Sequence, residues 1–336
     1  MKQILTLWMA RNREYYRDKG SLFWSFVATP LMVVVLALAF STDKQAILKV
    51  GVIEGKPSAH EALFKDDAAI ETIVYTHVEK AITRVQHHQL DILIALNGSN
   101  SYWINPESSK GLLLEKYLLS QFPDTQWQRE AVSGRKIRYV DWVIPGILAM
   151  NMMFSGLWGI GYVIVRYRKN GVLKRLHATP TKAWQFLLSQ ALSRMVIMVT
   201  VTTLVYIGCN LFIDFVMIGS YGLLILIMIL GNLSIIGFSL MMAARTASEE
   251  LANGLLNLIS FPMLLLSELW FSLDSAPEWL ATLSQWLPLT HIVRAARSVM
   301  LEGAGFTEIA PNLAALSAMM LASLIIAATL FRWHKQ

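Results

Sequence analysis

His87 and His88 are the only adjacent pair among the seven histidines, and their spacing argues against metal chemistry. Neighbouring residues on a helix do not share a face, and no third ligand stands close by. The chain has no HExxH and no GxSxG. It also lacks GxxxxGK[ST]: Gly55-Lys56 runs into Pro57, and Gly134 is followed by Arg135. No phosphate cradle, catalytic serine elbow or zinc helix is therefore expected, and the chain itself is expected to hold neither cofactor nor metal. Asn97-Gly98-Ser99 matches a glycosylation sequon but reads more simply as a turn at a strand end. Glu268, His291 and Arg294 are the polar groups an enzyme acting on lipid or peptide would have to use, and no nucleophile–base pair emerges from them.

Composition explains the poverty of polar chemistry. Of the 336 residues, 55% are hydrophobic and 15% charged, with mean hydropathy +0.47. Soluble domains carry roughly 25% charged residues, so much of this chain is expected to avoid water. The net charge of +6 suits anionic lipid headgroups and membrane topology. Without a basic, aromatic-rich soluble patch it does not point to nucleic acid. Cys209, the single cysteine, sits in an apolar run and can form no intrachain disulfide. The basic, amphipathic N-terminus has no small-residue cleavage site after it and does not read as a cleaved signal.

About 20 apolar residues are needed for a helix to cross the hydrocarbon core. The runs Leu22–Phe40, Trp142–Val165, Met195–Ile213, Phe215–Ala244, Leu251–Ser267 and Ile309–Phe331 predict about six spans. They are too uniformly apolar for barrel strands, which alternate. Arg194 stands at the start of the third run, where it can snorkel. Glu268 follows the fifth, where an external interface suits it better than mid-depth. The scarcity of charge inside the runs argues against a proton- or sodium-coupled carrier.

The short loops set the orientation. Fourteen Lys and Arg fall on one side: five before the first run, six between the second and third, Arg245, and Arg332 with Lys335. Both termini are therefore expected in the cytosol, with the long segment 41–141 outside. Within it, Leu48–Ile53, Asp91–Leu96 and Ser101–Asn105 read as strands. Val78 to Leu90 reads as a helix with Val78, Ile82, Val85 and Gln89 on one face, and Gly111 to Phe122 as another. The fold class is thus an α-helical polytopic membrane protein with an α/β extracytoplasmic domain between its first two spans. Residues 1–21 are expected to form an interfacial amphipathic helix, with Ile4, Leu5, Trp8 and Tyr15 or Tyr16 toward lipid and Arg11, Arg13 and Arg17 wet. The bland alternative is an extension of the first span.

The most informative stretch is RYRKNGVLKRLHATPTKAW, Arg166 to Trp184. Gly171 can end the helix leaving the second span. Val172 to Ala178 then offers a short helix with Leu173 and Leu176 three apart. Thr179-Pro180 stops it, because a residue before proline avoids the α region, and Thr181 can cap the next helix. From physics alone the loop is either a handle for a cytosolic partner or a basic surface that meets headgroups.

This loop resembles the cytosolic segment of the type-2 family of ABC export permeases, whose pattern runs roughly R-x-x-G-x-L-x-R-L-x-x-T-P. Arg168, Gly171, Leu173, Arg175, Leu176, Thr179 and Pro180 match. PLTHIVRAARSVMLEG, from Pro288 to Gly303, resembles the family's segment before its last span. Arg17-Asp18 with Pro30, and an external domain after the first span, fit the same order. Two places depart from the pattern. The family often has Ser-Gly, an apolar pair and Pro after the fifth span, where this chain has Ser267-Glu268 and then Ser272. The acidic flanks of the loop are basic here, at Arg166 and Lys174.

The resemblance implies a permease subunit of an ATP-driven exporter in the bacterial inner membrane, moving a drug-like or lipid-like amphipathic substrate outward. ATP and magnesium would sit on a separate ATPase subunit, and a second permease copy would complete a homodimer. The 166–183 loop would couple to the ATPase, with Leu173 and Leu176 as an apolar plug and Lys174 and Arg175 against acidic rims. Segment 267–289 would be re-entrant, with Ser267, Glu268, Trp270, Pro288, His291 and Arg294 near an outer gate or path. The external domain would receive substrate or dock an envelope partner. A membrane receptor or scaffold built on that domain, and a membrane enzyme acting on lipid, are the alternatives from other classes.

Overall fold

The computed structural model describes residues 2–23, 26–27, 29–39, 48–53, 70–76, 78–95, 100–123, 125–134, 137–213, 215–246, 248–270, 273 and 277–331. It divides into two compact units, Met1–Phe40 with Tyr139–Gln336, and Ser41–Arg138. The first unit opens with α1 (Lys2–Arg17), α2 (Lys19–Phe23) and α3 (Thr29–Ala39). Within the expected span Leu22–Phe40 the described residues, 22–23, 26–27 and 29–39, are all helical.

The unit Ser41–Arg138 is built on a five-stranded sheet. Its strands are β1 (Leu48–Ile53), β2 (Ile70–Tyr75), β3 (Ile92–Ala95), β4 (Ser101–Ile104) and β5 (Gln128–Ala131), with α4 (Val78–Gln86) before β3 and α5 (Ser109–Gln121) before β5. The order is β2-β1-β3-β4-β5. β1 runs parallel to β2 and β3, β3 antiparallel to β4, and β4 parallel to β5. Residues alternate faces along a strand. Val50 and Val52 accordingly pack with Leu114 and Leu118 of α5, while Ile53 packs with Ala81 and Val85 of α4. Burial on both faces is why VGVI, residues 50–53, and ILIA are continuously apolar rather than alternating. Ser108 caps α5 by accepting from the Gly111 amide at 3.1 Å. A side chain at Gly111 would meet the Asp91 carbonyl at 2.6 Å. The helix expected through Gln89 ends at Gln86, and Gln89 lies in the turn that follows. The sequon residues 97–99 lie outside the described residues.

The first unit continues with α6 (Tyr139–Gly156), a π-helical segment (Leu157–Tyr162), α7 (Val163–Lys169), α8 (Val172–His177), α9 (Ala183–Ile213), α10 (Tyr221–Ala243), α11 (Glu249–Leu266), α12 (Glu278–Ser284), α13 (Pro288–Glu302) and α14 (Phe306–Leu330). Four described stretches are long and apolar enough to cross a membrane: Tyr139–Lys169, Ala183–Leu211, Tyr221–Ala243 and Phe306–Leu330. The expected run Leu251–Ser267 falls in α11, whose first turn carries Glu249 and Glu250 and whose cap is Ser248. The helix α9 starts at Ala183, twelve residues before the Met195 at which the expected run begins.

The helix α10 is shorter than the apolar run Phe215–Ala244 in which it falls. Residues 215–219 are not helical. The Ile218 and Gly219 amides donate to the Met300 and Val299 carbonyls at 2.9 and 3.1 Å. They thereby satisfy acceptors that the end of α13 leaves open. Helices in this unit approach closely at small residues. At Gly237 of α10 a β-carbon would stand 2.4 Å from Ser323 Oγ of α14. Ser239 Oγ lies 3.1 Å from the Gly156 and Leu157 carbonyls, where the π segment begins, and donates there.

Candidate functional site

The loop between α7 and α9 is held by its base. Gly171 adopts φ +70°, and a β-carbon there would meet nothing within 4 Å. Glycine is favoured here by backbone conformation rather than by space. α8 follows, and Thr179 closes it: its hydroxyl donates to the Leu176 carbonyl at 2.6 Å and lies 2.9 Å from Thr181 Oγ1, from which it can accept. Lys174, Arg175, Thr179, Pro180 and Lys182 are exposed, as is Trp184.

Two residues expected on the partner-facing side point the other way. Leu173 is fully buried in the same apolar core as Ile164 and Phe186, and Leu176 packs against that core from its edge. A six-residue helix with two leucines three apart must bury them somewhere, and the unit's own core takes them. Leu173 is therefore an anchor rather than a free plug. Arg168 is likewise buried. Its guanidinium donates to the carbonyls of Ala243 at 2.9 Å, Ala244 at 3.0 Å and Thr246. These are acceptors left open by the end of α10, so Arg168 ties α7 to α10.

Other ties meet at α7. Glu14 of α1 pairs with Arg166 at 3.1 Å and with Arg11 at 2.7 Å, and accepts from the Tyr167 hydroxyl. Burial pushes the Glu14 carboxyl up, but the Tyr167 hydrogen bond and the two guanidiniums outweigh it and hold the group below its usual range. Arg11 Nη2 donates to the Gly159 carbonyl at 2.7 Å. Arg11 is thus buried, against the expectation that it stays wet, and so is Tyr15. α1 packs along α9, which turns that face inward. On the other flank, Glu249 of α11 accepts from the Tyr162 hydroxyl at 3.0 Å and pairs with Lys169 at 3.6 Å.

The residues assigned to an outer gate also converge, and Arg297 joins them. Glu268, at φ +57°, pairs with Arg294 at 2.6 Å and Arg297 at 3.9 Å. Arg297 Nε donates to the Trp142 carbonyl at 3.0 Å, Nη2 reaches the Glu268 and Leu269 carbonyls, and the guanidinium lies 3.5 Å from the Trp142 ring centroid. Thr290 donates to buried Ser267 at 3.0 Å. Pro288 opens α13, as a residue without an amide hydrogen suits. His291 lies 2.9 Å from Asn312 Oδ1 and 2.8 Å from the Gln285 carbonyl. Trp270 joins through its carbonyl, which accepts from the Tyr139 hydroxyl at 3.1 Å. Glu268, Arg294 and His291 are thus engaged in bonds that hold α13 to its neighbours.

Sequence reasoning missed Arg297, Glu14 and Arg194 as members of these clusters. Only the Arg11-to-Glu14 spacing of one helical turn gave a readable signal. Arg194 does not snorkel from a helix start: it stands a dozen residues into α9, 7% exposed, with Nε donating to the Ser155 carbonyl at 2.9 Å and its guanidinium over the Tyr15 ring. Among the described residues no group of three or more His, Cys, Asp or Glu is placed to hold a metal ion.

A family model described as ABC-2 type transporter matches residues 92–301. The "Probable multidrug ABC transporter permease YbhR" of Escherichia coli strain K12 is 25% identical over 168 residues, 49% of this chain and 45% of that one. "ABC transporter G family member 20" of Dictyostelium discoideum is 26% identical over 174 residues, 50% of this chain and 23% of that one. The matched stretch spans less than half the length of each of these curated relatives.

Proposed function

This chain belongs to the ABC-2 type transporter family, and on that premise we propose that it is the permease subunit of an ATP-driven exporter for amphipathic molecules. A separate ATPase would bind ATP and magnesium and dock on the exposed face of α8, where Lys174 and Arg175 meet acidic groups. The observation that carries this reading is the junction around α7. α8 is anchored through Leu173, and the adjoining helix is bonded to α1 through Glu14, to α10 through Arg168 and to α11 through Lys169. A displacement of α8 would therefore move the ends of several helices together rather than bend a loop. Packed interiors transmit such shifts because they do not deform continuously.

The finer assignments follow from the same reading. Runs Leu22–Phe40 and Leu251–Ser267 complete six spans, and segment 267–289 dips back toward an outer gate at Glu268. The fourteen loop cations keep both termini in the cytosol of a bacterial inner membrane, with the sheet-bearing unit outside. There it would receive substrate or meet an envelope partner. A second copy pairs with the first. The word "multidrug" in the name of the E. coli relative supports a drug-like amphipathic cargo.

Everted membrane vesicles holding the chain and its ATPase test the direction. ATP-dependent uptake of a fluorescent amphipathic cation or anion, absent when either subunit is omitted, is the expected result. Uptake that persists without the ATPase would overturn the reading.

A further inference from the structure

A cavity of about 550 Å³ opens between α1, α3, α6, the π segment and α9. That volume falls within the ~300–1,000 Å³ of small-molecule sites. Its walls are mixed: Met32, Met150, Phe154 and Trp158 supply apolar surface, and Asn151 and Arg194 supply polar groups.

Charge on the walls does not balance. Arg11, Arg166 and Arg194 line the cavity with Glu14 and Asp18. Glu14 is taken by Arg11 and Arg166. Arg194 pairs with no carboxylate among the described residues; its Nε donates to the Ser155 carbonyl and its guanidinium lies over the Tyr15 ring. A guanidinium more than nine-tenths buried and lacking a counter-ion is costly, and this one retains donors beyond its single bond from Nε.

The backbone is shaped around that cation. A β-carbon at Gly159 would lie 2.1 Å from Arg194 Cζ, so only glycine lets the guanidinium lie there. Arg11 bonds the carbonyl of the same Gly159. Gly159 sits within the π segment, an irregularity frequent at functional sites. Two guanidiniums thus converge on one glycine at the edge of a mixed cavity, and one of them pairs with no acid among the described residues.

We propose that this cavity binds one anionic amphiphile, with its phosphate or carboxylate head on Arg194 and its apolar body against Met32, Met150, Phe154 and Trp158. Guanidinium suits such heads because its planar donors match two acceptor oxygens. The inference deepens the exporter reading by naming a ligand class. Its test needs neither ATP nor ATPase, so its failure is separable from a failure of coupling.

The purified chain in nanodiscs of phosphatidylcholine is titrated calorimetrically with octyl phosphate and with octyltrimethylammonium. Octyl phosphate should bind at least about tenfold more tightly. Arg194→Gln should abolish that preference, and Phe154→Ala should weaken both probes while the preference remains. Because Arg194→Gln could unfold the site, the Phe154→Ala variant and the native preference are read independently, with thermal unfolding as the fold control. Dioctanoyl phosphatidylglycerol binding more tightly than octyl phosphate would assign the site to membrane lipid, and the reverse order to a free single-chain anion. No anion preference in the native chain, or a preference that survives Arg194→Gln in a folded protein, would overturn the proposal.

Discussion

At the scale of residues, buried guanidiniums do the joining. Arg168 satisfies the end of α10 through three carbonyls. Charge-assisted bonds are worth about 1.5–3 kcal/mol each when a buried partner is lost. Arg168→Ala should therefore cost about 3 kcal/mol, read as a clear drop in thermal unfolding temperature. Arg168→Lys should recover little, because a single ammonium cannot reproduce the fork. A lysine variant as stable as native would contradict the capping role. Tyr102 tests the sheet-bearing unit separately. Burial and its 2.7 Å hydrogen bond to Glu115 push its phenol up to about 12. A raised folded value means that this stabilising contribution is complete below the ordinary value of about 10 and is lost as pH rises toward 12. The tyrosinate absorbance difference between native and Tyr102→Phe should have its midpoint near that upper value, and a midpoint at the ordinary one would refute the assignment.

At the scale of elements, α10 carries a local cost. Asn232 is fully buried in it, and neither its Nδ2 nor its Oδ1 has a hydrogen-bond partner among the described residues. Replacing an unsatisfied buried polar group by an apolar one of similar size removes a penalty of about 1–3 kcal/mol. Asn232→Leu should therefore raise the unfolding temperature; a lower one would mean that the amide has a role in another state or with another chain. Docking of α1 depends on Glu14, whose folded carboxyl is held low. Its contribution is present above the unfolded carboxylate value and is lost as pH falls through the folded one. Hydrogen-exchange protection of 2–17, corrected for the intrinsic pH dependence of amide exchange, should fall as pH is lowered through that range, and Glu14→Gln should lower it already at neutral pH. Protection unaffected by either change would contradict the ion-pair anchor. These elements were unevenly legible in the sequence. LKVGVI announces β1 because β-branched residues end at a turn signal, and Gly171 and Thr179-Pro180 bound α8 by backbone conformation alone. β2 and β5 were not legible, since IETIVY and QREA are edge strands whose identity comes from their neighbours. Hydropathy overstated the helix α10 because residues 215–219 are apolar, yet Ile218 and Gly219 spend their amides on α13 and Val216 spends its amide on Asp141. The inward turn of Leu173, Arg11 and Arg194 was illegible because periodicity gives a face but not what covers it.

At the scale of the molecule, the proposed coupling runs from an exposed basic face on α8 to helix ends that meet at α7. The last span shows how much surface remains for lipid or a second copy: only 22% of its apolar window is buried within the chain. The departure of this loop from its family's acidic flanks makes charge the natural probe. Lys174 and Arg175 are exposed, so reversing them should spare the fold. The chain is co-expressed with candidate ATPase subunits and purified in mild detergent, and retained ATPase and its ATP turnover are compared for native and Lys174→Glu/Arg175→Glu forms of equal thermal stability. The account predicts retention by the native chain and a loss of about tenfold or more in the double reversal. Undiminished retention and turnover in the folded variant would contradict it.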